Sequence, residues 1–197
     1  MSREAVPEGP RPPSGRTDAR RNRARLVEVA GALFDEAGVD AASMNDIARR
    51  AGVGPGTLWR HFPDKDALVA AVVGDSLDGL ADLATELLNA VPPADPLREW
   101  VCALIQHIAR YRGLASAFAH ASTNSGSPLG VRRHAAEQAA AELVERAHTH
   151  GQVRPDLTGP EVIQLATAVA WINEATAPPD TTGRLLDLIF EGLHPPA

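Results

Sequence analysis

The chain has 197 residues, 44% hydrophobic but only 4% aromatic, so its core must be built mainly of Ala, Leu and Val, which favours helix packing over strands. The net charge of -6 is unevenly spread: residues 1–70 carry 11 basic and 10 acidic side chains, residues 71–197 carry 8 and 15, so the second part would be repelled by a polyanion and should face away from one. A single cysteine, Cys102, excludes an intrachain disulfide and fits a reducing compartment, while the lack of any ~18-residue apolar run or signal-peptide pattern leads to the expectation of a soluble, cytoplasmic protein with no membrane partner.

Residues 1–16 hold four prolines, two glycines and one branched apolar residue, Val6. Such a stretch cannot bury enough surface to offset its ordering, and a disordered arm is expected. A first helix should begin at Thr17 or Asp18. Leu26, Ala30, Leu33, Phe34 and Ala37 recur as one buried stripe, and Gly38 ends the helix. Arg16, Arg20, Arg21, Arg23 and Arg25 crowd its opening turns, where cations oppose the helix dipole. A nearby polyanion would relieve that cost; a solvated basic face is the alternative.

Ser43 and Asp46 form an [ST]-x-x-[DE] capping pattern ahead of Ile47. That helix runs to Ala51 and stops at Gly52, and Val53-Gly54 turns the chain. Pro55 suits the first turn of a following short helix. Leu58 and Phe62 are four apart and anchor it, leaving Thr57, Trp59, Arg60 and His61 to point elsewhere. Asp64 then caps a long helix over roughly 65–90, ended by Pro92-Pro93. Asp95-Pro96 restarts a helix carrying Leu97, Trp100, Val101, Leu104, Ile105 and Ile108. A short helix near 113–121, a Ser-rich loop at 122–128 and a helix over about 128–149 follow. Gly159-Pro160 opens a helix to about 176, Pro178-Pro179 breaks it, and Leu185, Leu186, Ile189, Phe190 and Leu193 mark the last one. No segment alternates like a strand. The expected fold is all-α, with about nine helices.

Two short helices joined by a tight turn place the second one to enter a DNA major groove, with side chains near its start reading base edges. Pro55 and the Thr57 methyl suit a thymine methyl, and Thr57 can donate to phosphate. Trp59 and His61 come within reach of the backbone; packing inside the subunit is the alternative for Trp59, and a plain surface position for His61. Lys65 stands at the head of the next helix, where an ammonium and free N–H groups can hold a phosphate.

Residues 22–70 resemble the N-terminal domain of TetR/AcrR-type transcriptional repressors. The matching pieces are Ala32-Leu33-Phe34-Asp35-Glu36-Ala37-Gly38, Ile47-Ala48, Ala51-Gly52-Val53, Gly56-Thr57-Leu58, His61-Phe62, and Lys65 with Ala67-Leu68. The resemblance implies that Ser43 caps its helix and touches phosphate, that Asn45 reaches a base, and that Gly54, Pro55 and Thr57 form the tip of the reading helix. Trp59 stands where tyrosine is usual, and His61 and Lys65 match further backbone contacts. Gly54 lacks the base-reading amide of some members, and Trp59 offers an indole N–H but no phenolic hydroxyl, so the half-site sequence stays open.

The expected division is a disordered arm at 1–16, a helix-turn-helix domain at 17–66 and a ligand-binding and dimerisation domain at 67–197. The resemblance implies a small-molecule cavity and a dimer seam in this last region. Trp100, His107 and Tyr111 share a helical face and, with Phe118 and Trp171, are the candidate pocket lining, with a satisfied core or surface position as the alternative for each. Val162, Leu165, Val169, Leu186, Ile189 and Leu193 are the candidate seam of a homodimer, with an intrachain core as the alternative. A two-fold protein implies a roughly palindromic operator in double-stranded DNA. The expected activity is that of a repressor released by a small-molecule effector; an effector-independent or architectural DNA binder is the alternative. No phosphate loop, nucleophile elbow or zinc-protease signature is present. His107 with His120, or His148 with His150, lacks the spacing of a metal site. Neither an enzyme, a cofactor nor a metal is expected.

Overall fold

The computed structural model describes residues 14–89, 95–176 and 181–193. Among them all regular structure is helical: α1 Ser14–Ala37, α2 Met44–Ala51, α3 Pro55–His61, α4 Lys65–Val72, α5 Gly74–Leu88, α6 Pro96–Ala109, α7 Leu114–Ala121, α8 Pro128–Thr149, α9 Gly159–Thr176 and α10 Thr181–Leu193. No described helix is long and apolar enough to cross a membrane.

The expected stripe of α1 is buried except for Ala37, which is exposed at the helix end. Leu26, Ala30, Leu33 and Phe34 are at most 5% exposed, and they meet Ile47 and Ala48 of α2, Leu58 and Phe62 of and beside α3, and Leu68 of α4. α1 opens at Ser14, three residues earlier than expected, so Ser14, Gly15 and Arg16 are helical rather than part of a disordered arm. The remainder of that expectation, residues 1–13, lies outside the described residues, as do Pro92-Pro93 and Pro178-Pro179.

Ten helices replace nine because the long helix expected over 65–90 is broken at Val73. Local and distant groups combine at the break. Gly74 is a poor helix former. The Ser76 hydroxyl donates to the Val73 carbonyl at 3.2 Å, and Arg132 of α8 donates to the Gly74 carbonyl at 3.3 Å and pairs with Asp78. At the far end of α5, Arg146 of α8 donates to the Leu87 and Leu88 carbonyls, satisfying groups that a helix end leaves unpaired.

One apolar core runs without interruption from α1 to α10. Leu68, Val69 and Val73 carry it from the first three helices into the body, where Leu77, Leu80, Leu104, Ile108, Leu143, Ile163 and Ala170 continue it. Polar ties cross the same junction: Val39 N–H donates to the Arg112 carbonyl at 2.6 Å, and Leu129 N–H to an Asp66 carboxylate oxygen at 3.3 Å. Helices α8 and α9 come close at Gly159, where a Cβ would stand 2.7 Å from Ala141 N and 2.8 Å from the Glu137 carbonyl, so any side chain there would force the pair apart.

Candidate nucleic-acid interface

The reading head is assembled from short-range rules. Ser43, extended at φ -91°, caps α2: its Oγ accepts from Asp46 N–H at 3.1 Å and lies 2.8 Å from an Asp46 carboxylate oxygen. Asp46 in turn holds Arg49 at 2.6 Å. Gly52 closes α2 in the left-handed region, φ 70°, a conformation that costs a residue with a Cβ about 1–2 kcal/mol. Gly54 starts α3 and Pro55 occupies its first turn.

Leu58 and Phe62 are 1% and 2% exposed, so α3 is bolted to the head by the two residues its spacing singled out. What remains outward is the expected set. Asn45, Gly54, Pro55 and Arg60 are exposed, Thr57 and His61 are half-buried, and Trp59 is 45% exposed. The indole is therefore a surface group rather than part of the core. A Cβ added at Gly54 or Gly56 would meet nothing within 4 Å. The leading edge of α3 is thus bare backbone, open to close approach.

Two features of the head were not foreseen. Arg25 Nε donates to the Ala51 carbonyl at 2.7 Å, fixing α1 to the end of α2, and the Arg23 guanidinium lies 5.2 Å over the Phe62 ring. Part of the arginine run therefore braces the head as well as charging it. Lys65, at the head of α4, donates to the Asp40 carbonyl at 3.0 Å. Burial pushes its pKa down while Asp40 opposes the shift. One of its three donors is occupied, which leaves two for a phosphate.

The candidate pocket residues are placed differently from expectation. Trp100 is fully buried and donates Nε1–H to the Leu80 carbonyl at 2.8 Å. His107, 8% exposed, meets the Ser76 hydroxyl at 2.9 Å through Nδ1. Its Nε2 has no hydrogen-bond partner, and burial, with Arg110 adding repulsion, pushes its pKa down to about 4. Tyr111 packs edge-on against Phe34, ring centroids 6.1 Å apart. Tyr111 lies beyond the end of α6 at Ala109, and the three residues close against α5 and α1 instead of lining a cavity. Phe118 is fully buried beneath Arg133. Trp171 alone of the five lines a cleft, of about 470 Å³, with Ala115, Ser116, Ala119, Ser122, Arg133, Gln164, Thr167 and Ala168. Arg133 carries a signal in the sequence itself. It lies on the stripe Leu129, Arg133, Ala136, Ala140 that α8 buries, and a charge at such a position demands a partner.

The candidate seam residues also divide. Val162, Val169 and Leu186 are 3%, 3% and 4% exposed inside the subunit's own core, so those side chains are not available to a second subunit. α9 is apolar nearly all round, and periodicity cannot say which side the subunit itself uses. Leu165, Ile189 and Leu193 are half-buried along the α9–α10 edge. Leu188 and Trp171, 54% and 57% exposed, are the large apolar groups these two helices leave outward.

No group of three or more metal-ligating side chains occurs among the described residues. Residues 26–72 match the family model for bacterial regulatory proteins of the tetR family, and residues 92–195 match the C-terminal domain of SbtR-like transcriptional regulators. An HTH-type transcriptional regulator of Staphylococcus aureus (strain USA300) is 52% identical over 63 residues, 32% of this chain and 34% of that protein, so the match spans about a third of the relative's length. A TetR transcriptional regulator of Streptomyces coelicolor, solved by crystallography, is 33% identical, with 89% of this chain and 99% of that chain covered and a TM-score of 0.57. The crystal structure of RolR with its ligand resorcinol shares the fold at a TM-score of 0.63 and 20% identity, covering 90% of each chain. A helix-turn-helix head with an open leading edge, joined to an all-helical body and matched along both parts, makes this chain a member of the TetR family of DNA-binding transcriptional regulators, not an enzyme.

Proposed function

We propose that the protein is a cytoplasmic, homodimeric repressor that leaves a roughly palindromic operator when a small molecule binds its body. The observation that carries this reading is the outward face of the head. Asn45, Gly54, Pro55 and Trp59 are exposed and Thr57 and His61 half-buried around the buried anchors Leu58 and Phe62, with Ser43 exposed at the start of α2 and Lys65 half-buried at the start of α4. Thr57 and Pro55 meet bases, and Ser43, Trp59, His61 and Lys65 meet phosphates. The division near residue 66 belongs to this proposal. Because α4 is cored against both parts, a change in the body is transmitted to the head through α4.

Two subunits joined along α9 and α10, through Leu188 and the half-buried Leu165, Ile189 and Leu193, would present two heads to one face of DNA. Effector control is supported by the cleft at α7, α8 and α9, whose volume falls within the range of small-molecule sites. Its leverage equals its difference in affinity for the two head spacings. A gel shift on DNA flanking the protein's own coding region tests the reading. A retarded band that titrates with dimer concentration is expected; no shift at low salt would overturn it. An effector-independent regulator is the second reading, favoured by one observation: Trp100, His107, Tyr111 and Phe118 fill the interior they were expected to line.

A further inference from the structure

We infer that the cleft between α7, α8 and α9 takes a small, planar, uncharged phenol, with Arg133 as its polar anchor and Trp171 as its flat wall. The inference rests on the effector-controlled reading and names the chemical class of the effector.

Arg133 is the one charged residue lining the cleft, and it is 3% exposed. A buried guanidinium needs both a counter-charge and hydrogen-bond acceptors. The counter-charge is present: Glu137 Oε1 lies 3.0 Å from Nε. The acceptors are not all present. Nη1 donates to the Phe118 carbonyl at 3.1 Å, but Nε has no aligned hydrogen-bond partner despite the nearby carboxylate. The group is therefore neutralised in charge, and because the orphan Nε is itself sealed from solvent, any ligand contact falls to the terminal nitrogens. That combination selects an uncharged oxygen. A carboxylate would set a second negative charge beside Glu137 in a partly desolvated site, where repulsion outweighs one more hydrogen bond.

The hydroxyls complete the match. Thr167 Oγ1 donates to the Ile163 carbonyl at 2.7 Å, and Ser122 Oγ donates to the Ala119 carbonyl at 2.6 Å. Each has spent its only proton on its own helix and offers the cleft lone pairs alone. A ligand hydroxyl satisfies both sides at once: its oxygen accepts from Arg133 and its proton goes to Thr167 or Ser122. Ala115, Ala119 and Ala168 keep the walls small opposite the Trp171 indole, a slot suited to a ring.

The test uses the full-length protein and three probes of one shape: 4-methylphenol, 4-methylbenzoate and p-xylene, by titration calorimetry. The phenol should bind about tenfold more tightly than either of the others, the effect of one well-placed hydrogen bond to a charged donor. Arg133→Met should cost the phenol about tenfold and p-xylene little. Should that variant unfold by circular dichroism, Ala119→Phe serves instead. Ala119 is exposed and its side chain leaves the Arg133–Phe118 bond intact, so the phenylalanine should abolish phenol binding by filling the slot. Equal or tighter binding of the benzoate, or phenol affinity unmoved by Ala119→Phe, overturns the assignment. So does no binding of any probe, the result expected if a second subunit plugs the cleft; effector control through another site would survive that outcome. The converse, phenol binding in this pattern with operator complexes undisturbed, would sink effector control and leave the cleft assigned.

Discussion

Lys65 occupies a position where two demands meet. Its ammonium ties α4 to the Asp40 carbonyl, and the proposed contact with DNA needs its remaining donors. Replacing it with alanine removes one phosphate contact per head, so the slope of log affinity against log salt should fall by about 0.9 per subunit, without altering sequence preference. Thr57→Ala should weaken operator binding about tenfold and blunt preference at one base pair, which competition with mutated duplexes would reveal. His107 makes a separate prediction. Its pKa is about 4 in the fold against ~6.5 for an unperturbed histidine, so the unfolded chain takes up the proton first as pH falls. The fold therefore keeps the full benefit of a neutral His107 above pH ~6.5 and loses it progressively down to about pH 4, in total roughly 3 kcal/mol. Melting temperature followed from pH 7 to 4.5 should drop less steeply in His107→Leu than in the parent.

At the scale of an element, α2 and α3 were legible because their signals are local. A serine with an acid three residues on, a glycine stop and a proline start each act within one turn of helix, and each is realised in Ser43, Asp46, Gly52 and Pro55. A contrast of two glycines checks this. Gly52→Ala meets no atom within 4 Å, so its whole cost is the left-handed backbone, about 1–2 kcal/mol by chemical denaturation. Gly54→Ala also meets nothing and sits at φ -67°, so the entropy gain is offset only by the weaker N-cap, and the change should cost under about 1 kcal/mol. The break between α4 and α5 was not legible. Apolar residues keep helical spacing straight through it, and the groups that hold it open, Arg132 and His107 with Ser76, arrive from 31 residues away or more.

At the scale of the whole molecule, the continuous core makes the head and body one mechanical object, and in the proposed dimer a pair of them would set the distance between two heads. Leu188→Glu places a charge on the outward face of α10 without touching the subunit core. It should shift sedimentation from dimer to monomer at micromolar concentration and weaken binding to a two-half-site duplex far more than to a single half-site. Half-sites should lie about 34–36 Å apart, or a multiple of that, as two heads on one face of B-form DNA require.

The sequence by itself determined the class of fold, the reading head and the family. Those depend on helical periodicity, capping and turn residues, which are written in neighbours a few positions apart. Only the tertiary structure decided which apolar faces are spent inside the subunit. It turned Trp100, His107 and Tyr111 into packing, withdrew Val162, Val169 and Leu186 from any seam, and left Arg133 buried at a cleft. A helix apolar on several sides satisfies its periodicity whichever neighbour it meets, so its partners follow from how the described helices share one interior and not from the order of residues along any of them.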